Sequence, residues 1–425
     1  MPLSWRLIIA TALKISPTIL ASPRRNGPHS NTPPTSRHSM RVEWAPDGES
    51  SRDPALTLAG VYAKYGAPMP GDLEAAVAQK MKRDMGSIEV RPRDDYLNKF
   101  YIIAEIGDPK FSYPLILDTS TPDLWLVSTS ATNPDTPDQE PYYPKGSLSS
   151  DLVLGSTWRI GSEDKPSMSG DVFKDSITVG DLTIDEQAIQ VATHLSKEFD
   201  TLEGLSGVLG LGFSSRSSIK PVPLTSFVES AMDQLNKKIF SIGLRHECFG
   251  KLNFGFIDRQ AFVGDIGYSL VSSEAGFWNF TLGGLYAGDG QGLGTEYGIA
   301  DTATPLLLLP MQYSTAYYNM VQGAHKSDLY GGFVFPCNAK MADFSFQVGS
   351  VKITIPGRYM NFAPVNEDFT ICFGALQPSD KLGFNVIGSV AFKASFVVFD
   401  PENQIIGWAQ NKPSLYSWRS RVSAA

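Results

Sequence analysis

Two stretches carry the residue types from which chemistry is expected. "PLILDTSTPDLWLV" (Pro114–Val127) runs through apolar residues into Asp118, Thr119, Ser120 and Thr121. "YGIADTATPLLLLP" (Tyr297–Pro310) repeats that core as Asp301, Thr302, Ala303 and Thr304, 183 residues downstream. One copy reads as a strand that ends in a turn, because Asp, Ser, Thr and Pro all favour turns. Two copies suggest more, since carboxylates ending two apolar strands can meet across a cleft. At ~3 Å, two carboxylates do not both ionise and so share a proton. Such a pair holds a general acid and a general base in one site, able to take a proton from water while protonating a substrate oxygen. Asp118 and Asp301 are therefore the candidate catalytic residues. The hydroxyls of Thr121 and Thr304 are candidates to hydrogen-bond the outer carboxylate oxygens, and Thr119 and Thr302 to lock the two loops together.

Rival chemistry is thin. The chain has no Walker loop, no HExxH and no GxSxG, and of its five His residues His194, His246 and His325 fall in the body without metal-ligand spacing. No metal or cofactor is expected. "YAGDGQGLGTEYG" is Gly-rich but lacks the strand-to-helix setting of a phosphate loop, and reads as a hairpin loop.

The elements that must position the two carboxylates are strands. From Tyr96 onward, short runs rich in Val, Ile, Phe and Tyr ("KFYIIAEIG", "SITVGDLTID", "FSFQVGSVKITIPG", "ASFVVFD") alternate with Gly, Pro, Asp and Ser turns. Helical patterns are few in this region, chiefly Leu224–Leu235 and Met311–Ala324. An internal repeat in an all-β chain of this length suggests two similar β lobes rather than one barrel.

The chain has 425 residues, 42% hydrophobic and 19% charged, which fits a globular protein with a large core. Residues 1–83 carry 11 Lys/Arg against 6 Asp/Glu, while the whole chain is net −8, so a basic head precedes an acidic body. That balance argues against nucleic acid as a partner of the body and suggests that the head binds it. "MPLSWRLIIATALKISPTILAS" reads as a secretory signal peptide cut near Ala21–Ser22, although Lys14 interrupts its apolar run. No later segment approaches the ~20 apolar residues of a membrane span. "SPRRNGPHSNTPPTSRHSM" is expected to have no core of its own, and "LEAAVAQKMKRD" (Leu73–Asp84) reads as a helix ending in the dibasic pair Lys82–Arg83. The expected organisation is a signal peptide over 1–21, a basic prosegment over 22–83, an N-terminal β lobe over 84–260 and a C-terminal β lobe over 261–425. Three cysteines, Cys248, Cys337 and Cys372, allow one internal disulfide, and Asn279 heads the one glycosylation sequon.

These residues resemble a known family. From about Tyr96 to Gln410 the chain is similar to pepsin-like aspartic proteases, in particular the fungal penicillopepsin and aspergillopepsin group. "ILDTSTPDLWLVST", "GVLGLGF", "FGFID", "GIADTATPLLLLP" and "VIGSVAFKASFVVFD" fall in the family's order, and "VYAKYGAPMP" is similar to its prosegments. The resemblance implies a bilobal all-β fold with the cleft between lobes, made as a secreted, monomeric zymogen whose own prosegment inhibits it. It also implies a Cys337–Cys372 disulfide. Lys64 in "YAKYG" is the candidate to reach Asp118 and Asp301, the plain alternative being a solvated lysine.

The chain departs from the family in three places. Asp-Thr-Ser and Asp-Thr-Ala stand where the family has Asp-Thr-Gly or Asp-Ser-Gly, so Ser120 and Ala303 each add a Cβ beside the dyad. Either would be strained if its position required positive φ. "WRIGSEDKPSMSGDV" (Trp158–Val172) stands where the family's flap drops a tyrosine over the substrate. Ser162 takes the tyrosine's place, Glu163 and Lys165 take those of the glycines, and Asp164 keeps the acidic position. Trp125 loses the tyrosine partner its indole has in relatives. Ser389 replaces a usual Asp.

Three functions follow from this reading. The first is an acid endopeptidase acting on peptides or proteins. The second is an enzyme that turns the dyad to small-molecule dehydration or cyclisation in fungal secondary metabolism. The third is a cleft that binds peptide without cutting it. Retention of Asp118, Asp301, Thr121 and Thr304 together favours preserved acid–base chemistry.

Overall fold

The apolar run that carries Asp118 is the strand Phe111–Asp118, whose last four residues are buried. Leu115 and Leu117 enter the main core, while Ile116 points the other way into a second cluster with Trp125 and Trp158. A strand covered on both faces reads as an unbroken apolar run rather than an alternating one. The computed structural model describes residues 37–45, 54–83, 99–132, 141–161, 166–195, 205–245, 248–272, 275–290, 292–366 and 368–412. The expected signal peptide and the flap positions Ser162, Glu163, Asp164 and Lys165 lie outside these residues. So does the Cys248 side chain.

Each Asp-Thr loop is built by the same arrangement of strands. Gly207–Gly210 runs parallel to Phe111–Asp118 and antiparallel to Leu124–Thr132, so it is inserted between the strand that leads into the loop and the one that leads out. In the second lobe Val386–Ile387 lies in the same way between Gly294–Ala300 and Leu307–Leu309. Insertion this close needs glycine. A Cβ on Gly210 would stand 2.5 Å from Asp123 N, and one on Gly388 only 2.0 Å from Leu306 O. The internal repeat is thus a repeat of topology, and the fold is all-β and bilobal.

Fourteen strands form one sheet that passes through both lobes, joined by seven- and four-stranded sheets of the C-terminal half. "YAGDGQGLGTEYG" connects the antiparallel strands Asn279–Ala287 and Gly294–Ala300, as a hairpin loop should. The helices near 224 and 311 are shorter than their sequence patterns, Phe227–Met232 and Met311–Tyr318. The disulfide pairs Cys337 with Cys372. No helix among the described residues is long and apolar enough to cross a membrane.

The basic head is more ordered than its composition suggests. His38–Ala45 is a strand that overlaps the end of the stretch expected to have no core of its own. Physically, the strand needs no core of its own. It hydrogen-bonds to Cys248–Phe254 on one side and Lys99–Ile106 on the other, and buries Val42 in the main core. The helices Pro54–Lys64 and Gly71–Arg83 follow. Leu58, Val61, Tyr62 and Leu73 from these helices join that same core. Asp72 at the start of the second helix pairs with Lys326.

Candidate active site

Asp118 and Asp301 stand at the ends of their strands with 4% and 0% exposure, held by donors from their own loops. Asp118 Oδ1 accepts from the Ser120 backbone N–H and from the Ser120 hydroxyl, both at 2.8 Å. Asp301 Oδ1 accepts from the N–H groups of Ala303 and Thr304 at 2.9 and 3.1 Å. Its Oδ2 accepts from the Thr304 hydroxyl at 2.5 Å. Neither Ser120 nor Ala303 has positive φ; among the described residues only Phe369 and Gln404 do so outside glycine. The substitutions at the family's glycine positions therefore bring no left-handed strain.

The loops are locked to each other. The Thr119 hydroxyl donates to Ala300 O at 2.8 Å and accepts from Thr302 N at 3.1 Å. The Thr302 hydroxyl donates to Leu117 O at 2.6 Å and accepts from Thr119 N at 3.2 Å. Each threonine satisfies both a buried carbonyl and a buried N–H of the opposite lobe, groups that are costly to leave unpaired.

A single cation joins the two carboxylates. Lys64 Nζ lies 3.0 Å from Asp118 Oδ2 and 2.9 Å from Asp301 Oδ2. It ends the helix Pro54–Lys64, and Gly66 follows in the left-handed region (φ 63°), with Ala67 N–H donating back to Tyr62 O at 2.9 Å. This helix ending turns the chain sharply and leaves the adjacent Lys64 and Tyr65 both at the dyad. The Tyr65 hydroxyl donates to Asp301 Oδ2 at 2.7 Å. The Tyr65 ring meets Phe384 and Phe277 edge-on, at 4.9 and 6.0 Å between centroids.

Electrostatics separates the two acids. Burial pushes the Asp118 carboxyl above the ordinary carboxylate range and the Asp301 charge adds to this, although Lys64 opposes it. Burial acts on Asp301 in the same sense, but Lys64, Thr304 and Tyr65 outweigh it and hold that carboxyl below its ordinary value. Desolvation works against the Lys64 charge, yet the two carboxylates raise its pKa overall. Burial, with Asp301 beside it, keeps the Tyr65 phenol firmly protonated.

The structure brings together Asp118, Asp301, Thr119, Thr302, Ser120, Ala303, Thr304 and Lys64. Thr121 does not join them. Its hydroxyl accepts from Asp123 N at 3.2 Å, and the hydroxyl on Asp118 comes from Ser120 instead. Trp125 is buried and stacks on Trp158 at 6.4 Å, and the Trp158 indole N–H has no hydrogen-bond partner among the described residues. Ser389 is buried beside the second loop, its N–H donating to Thr304 O at 2.6 Å. Asn279 is half-buried at the first position of its strand. Tyr65 escaped the sequence reading, although its place next to Lys64 was the available signal. The pairing of Asp72 with Lys326 had no such signal.

Comparison with known proteins agrees with this geometry. Residues 99–411 match the family described as "Eukaryotic aspartyl protease". The chain is 39% identical to endothiapepsin of Cryphonectria parasitica over 350 residues, covering 81% of this chain and 84% of the relative. It is 36% identical to podosporapepsin of Podospora anserina over 378 residues, 86% and 89% of the two chains. With penicillopepsin-2 of Penicillium janthinellum the identity is 34% over 359 residues, 84% and 88%. A repeated strand–loop topology, two buried carboxylates on one cation and matches across most of the chain lead to one assignment: this protein belongs to the eukaryotic aspartyl protease family.

Proposed function

We propose that the chain is the zymogen of a secreted, pepsin-like aspartic endopeptidase that hydrolyses peptide bonds at acid pH. The observation that carries the reading is the ammonium of Lys64 shared by Asp118 and Asp301. Two buried carboxylates close enough to bind one cation are close enough to hold one water and one proton between them. The same contact supports the reading of the head as an inhibitor, because Lys64 occupies the place where that water would sit.

With the head gone, Asp301 is the natural base, since its loop donors stabilise its charge, and Asp118 the natural acid. Asp301 takes a proton from water as the water oxygen adds to the peptide carbonyl carbon, and Asp118 delivers its proton to the carbonyl oxygen. The gem-diol then collapses. The C–N bond breaks as the leaving nitrogen takes the proton from Asp301, and a gem-diol proton returns to Asp118. Both carboxyls end as they began. The names of the relatives, pepsins of filamentous fungi, support an endopeptidase.

The test uses protein cleaved after Arg83, incubated with denatured globin and a mixed peptide library from pH 3 to 7, with Asp301→Asn as the control. Acid-dependent cleavage that the substitution abolishes and a statine-type inhibitor blocks is the expected result. A folded, processed protein that cuts nothing overturns the reading and points to small-molecule acid–base chemistry or to binding alone.

A further inference from the structure

The two lobes do not support their aspartates alike. In the Asp-Thr-x-Thr repeat, Thr121 is the counterpart of Thr304, whose hydroxyl donates to Asp301 Oδ2 at 2.5 Å. Yet the Thr121 hydroxyl is engaged by Asp123 N, and the hydroxyl on Asp118 belongs to Ser120. Ser120 brings both of its donors to the same atom, Oδ1, each at 2.8 Å. Asp301, in contrast, receives loop donors on both oxygens. Among the described residues Asp118 Oδ2 has no donor from its own loop, only Lys64 from the head.

We infer that Ser120 is a positioning residue of the dyad: by occupying Asp118 Oδ1 with two donors it reserves Oδ2 for the transferable proton. A carboxyl oxygen that accepts two hydrogen bonds holds negative charge well and is a poor place for a proton, so the proton goes to the other oxygen. That oxygen faces the point where Lys64 sits and where substrate arrives. Ser120 itself lines the same point, because its side chain interacts with the Tyr65 phenol that contacts Asp301. The site fits the substitution. Ser120 is only 3% exposed and its φ is not positive, so the added side chain is housed without strain and aimed at the carboxylate. The raised pKa of Asp118, pushed up by burial, and the lowered one of Asp301 are in keeping with a proton held on Asp118.

This inference rests on the reading of Asp118 and Asp301 as an acid–base pair, and the experiment separates the two. In the processed enzyme, Ser120→Gly and Ser120→Ala both remove the hydroxyl but differ in bulk. Loss of a hydrogen bond to a charged oxygen, worth about 1.5 kcal/mol, moves a titration by about one unit. Both variants are therefore expected to move the alkaline limb of the kcat/KM profile, where Asp118 loses its proton, up by about one pH unit. They should also lower kcat about tenfold with little change in KM, while Thr121→Ala leaves the limb in place. A limb that moves with Thr121→Ala and not with the Ser120 variants overturns the proposal. So do unequal effects of Gly and Ala without a shift, the mark of a packing role.

If the enzyme cuts no peptide, the functional reading fails but the positioning claim is still read directly. In the intact chain with 13C-labelled aspartate carboxyls, the Asp118 resonance is assigned by its loss in Asp118→Asn. It is expected to titrate about one unit higher in Ser120→Ala than in the unaltered chain or in Thr121→Ala. An unmoved resonance refutes the proposal whatever the enzyme does.

Discussion

The hydroxyls of Thr119 and Thr302 each bond the backbone of the opposite lobe, Thr119 through Ala300 O and Thr302 N, and Thr302 through Leu117 O and Thr119 N. Replacing either hydroxyl strands a carbonyl and an N–H in a buried site, at roughly 1–3 kcal/mol for each group. Thr119→Val is isosteric and removes both bonds. We expect it to lower the stability of the intact chain by about 2–6 kcal/mol and to loosen the spacing of the dyad, reducing kcat by tenfold or more. Urea unfolding followed by tryptophan fluorescence, with parallel assays of the processed enzyme, checks both effects. A variant as stable and as active as the parent would remove the lock from the account.

Lys64 neutralises two buried acids, and removing one partner of such a cluster leaves charge uncompensated. Breaking a buried pair costs about 3–5 kcal/mol. Lys64→Met is expected to undock the head at neutral pH and to open the cleft to ligand. Binding of a statine-type inhibitor to the uncleaved chain at pH 7 should rise at least ~10²-fold, which corresponds to about 2.7 kcal/mol. Equal, weak binding to both chains would mean that Lys64 does not hold the cleft shut.

The docked head should respond to acid with a definite sign. Asp301 is held below its ordinary value, so its contribution to docking is complete above about pH 4 and lost as pH falls through the depressed value. Lys64 is raised, so its contribution persists throughout acid and neutral pH and disappears only above the ordinary range of lysine. Asp118, raised, contributes in the opposite sense by favouring proton uptake in the docked state. The balance predicts that the head stays docked at pH 5 and leaves below pH 4. A pH series of limited proteolysis across residues 46–98 measures this, and release on the alkaline side of neutrality would contradict it.

Tyr65 provides a graded version of the same release. Tyr65→Phe keeps the ring against Phe384 and Phe277 but loses the bond to Asp301 Oδ2. A bond to a charged oxygen contributes about 1.5 kcal/mol, so the undocked fraction should rise about tenfold at a fixed pH. The midpoint of release should accordingly move toward neutrality. Tyr65→Ala should move it further, because the ring contacts go as well.

Cys337 and Cys372 close a loop of sequence separation 35 between the strands Gly332–Pro336 and Ile371–Gly374. In the chain-entropy picture such a crosslink stabilises by about 4 kcal/mol. Cys372→Ser is expected to lower the unfolding midpoint of the C-terminal half while leaving the dyad geometry intact. Thermal unfolding with and without reductant is the measurement.

Much of this was legible in the sequence because it rests on local signals. The run from Pro114 to Asp118, its repeat before Asp301 and the glycines of "GVLGLGF" and "VIGSV" are short patterns with one physical meaning each. The strand His38–Ala45 was not legible, because eight mixed residues become a strand only when two waiting edges accept them. The exchange of roles between Ser120 and Thr121 was hidden for another reason. Both carry hydroxyls one residue apart, and which one reaches Asp118 depends on rotamer and loop path rather than on composition. Flap positions 162–165 lie outside the described residues, so their chemistry stands as read from the sequence.

The strand His38–Ala45 is also a seam. On one side of it the fourteen-stranded sheet has five strands ending at Cys248–Phe254, and on the other it has eight beginning at Lys99–Ile106. A cut after Arg83 severs the chain but none of those cross-strand hydrogen bonds, so nicking and departure of the head are separate events. Were the head to leave, the edge of Cys248–Phe254 covered by His38–Val42 and the edge of Lys99–Ile106 covered by Glu43–Ala45 would both be bared, and exposed edges invite pairing with other molecules. Departure of the head would therefore divide the sheet, and a chain freed of it would have two strand edges to cover as well as a cleft to open.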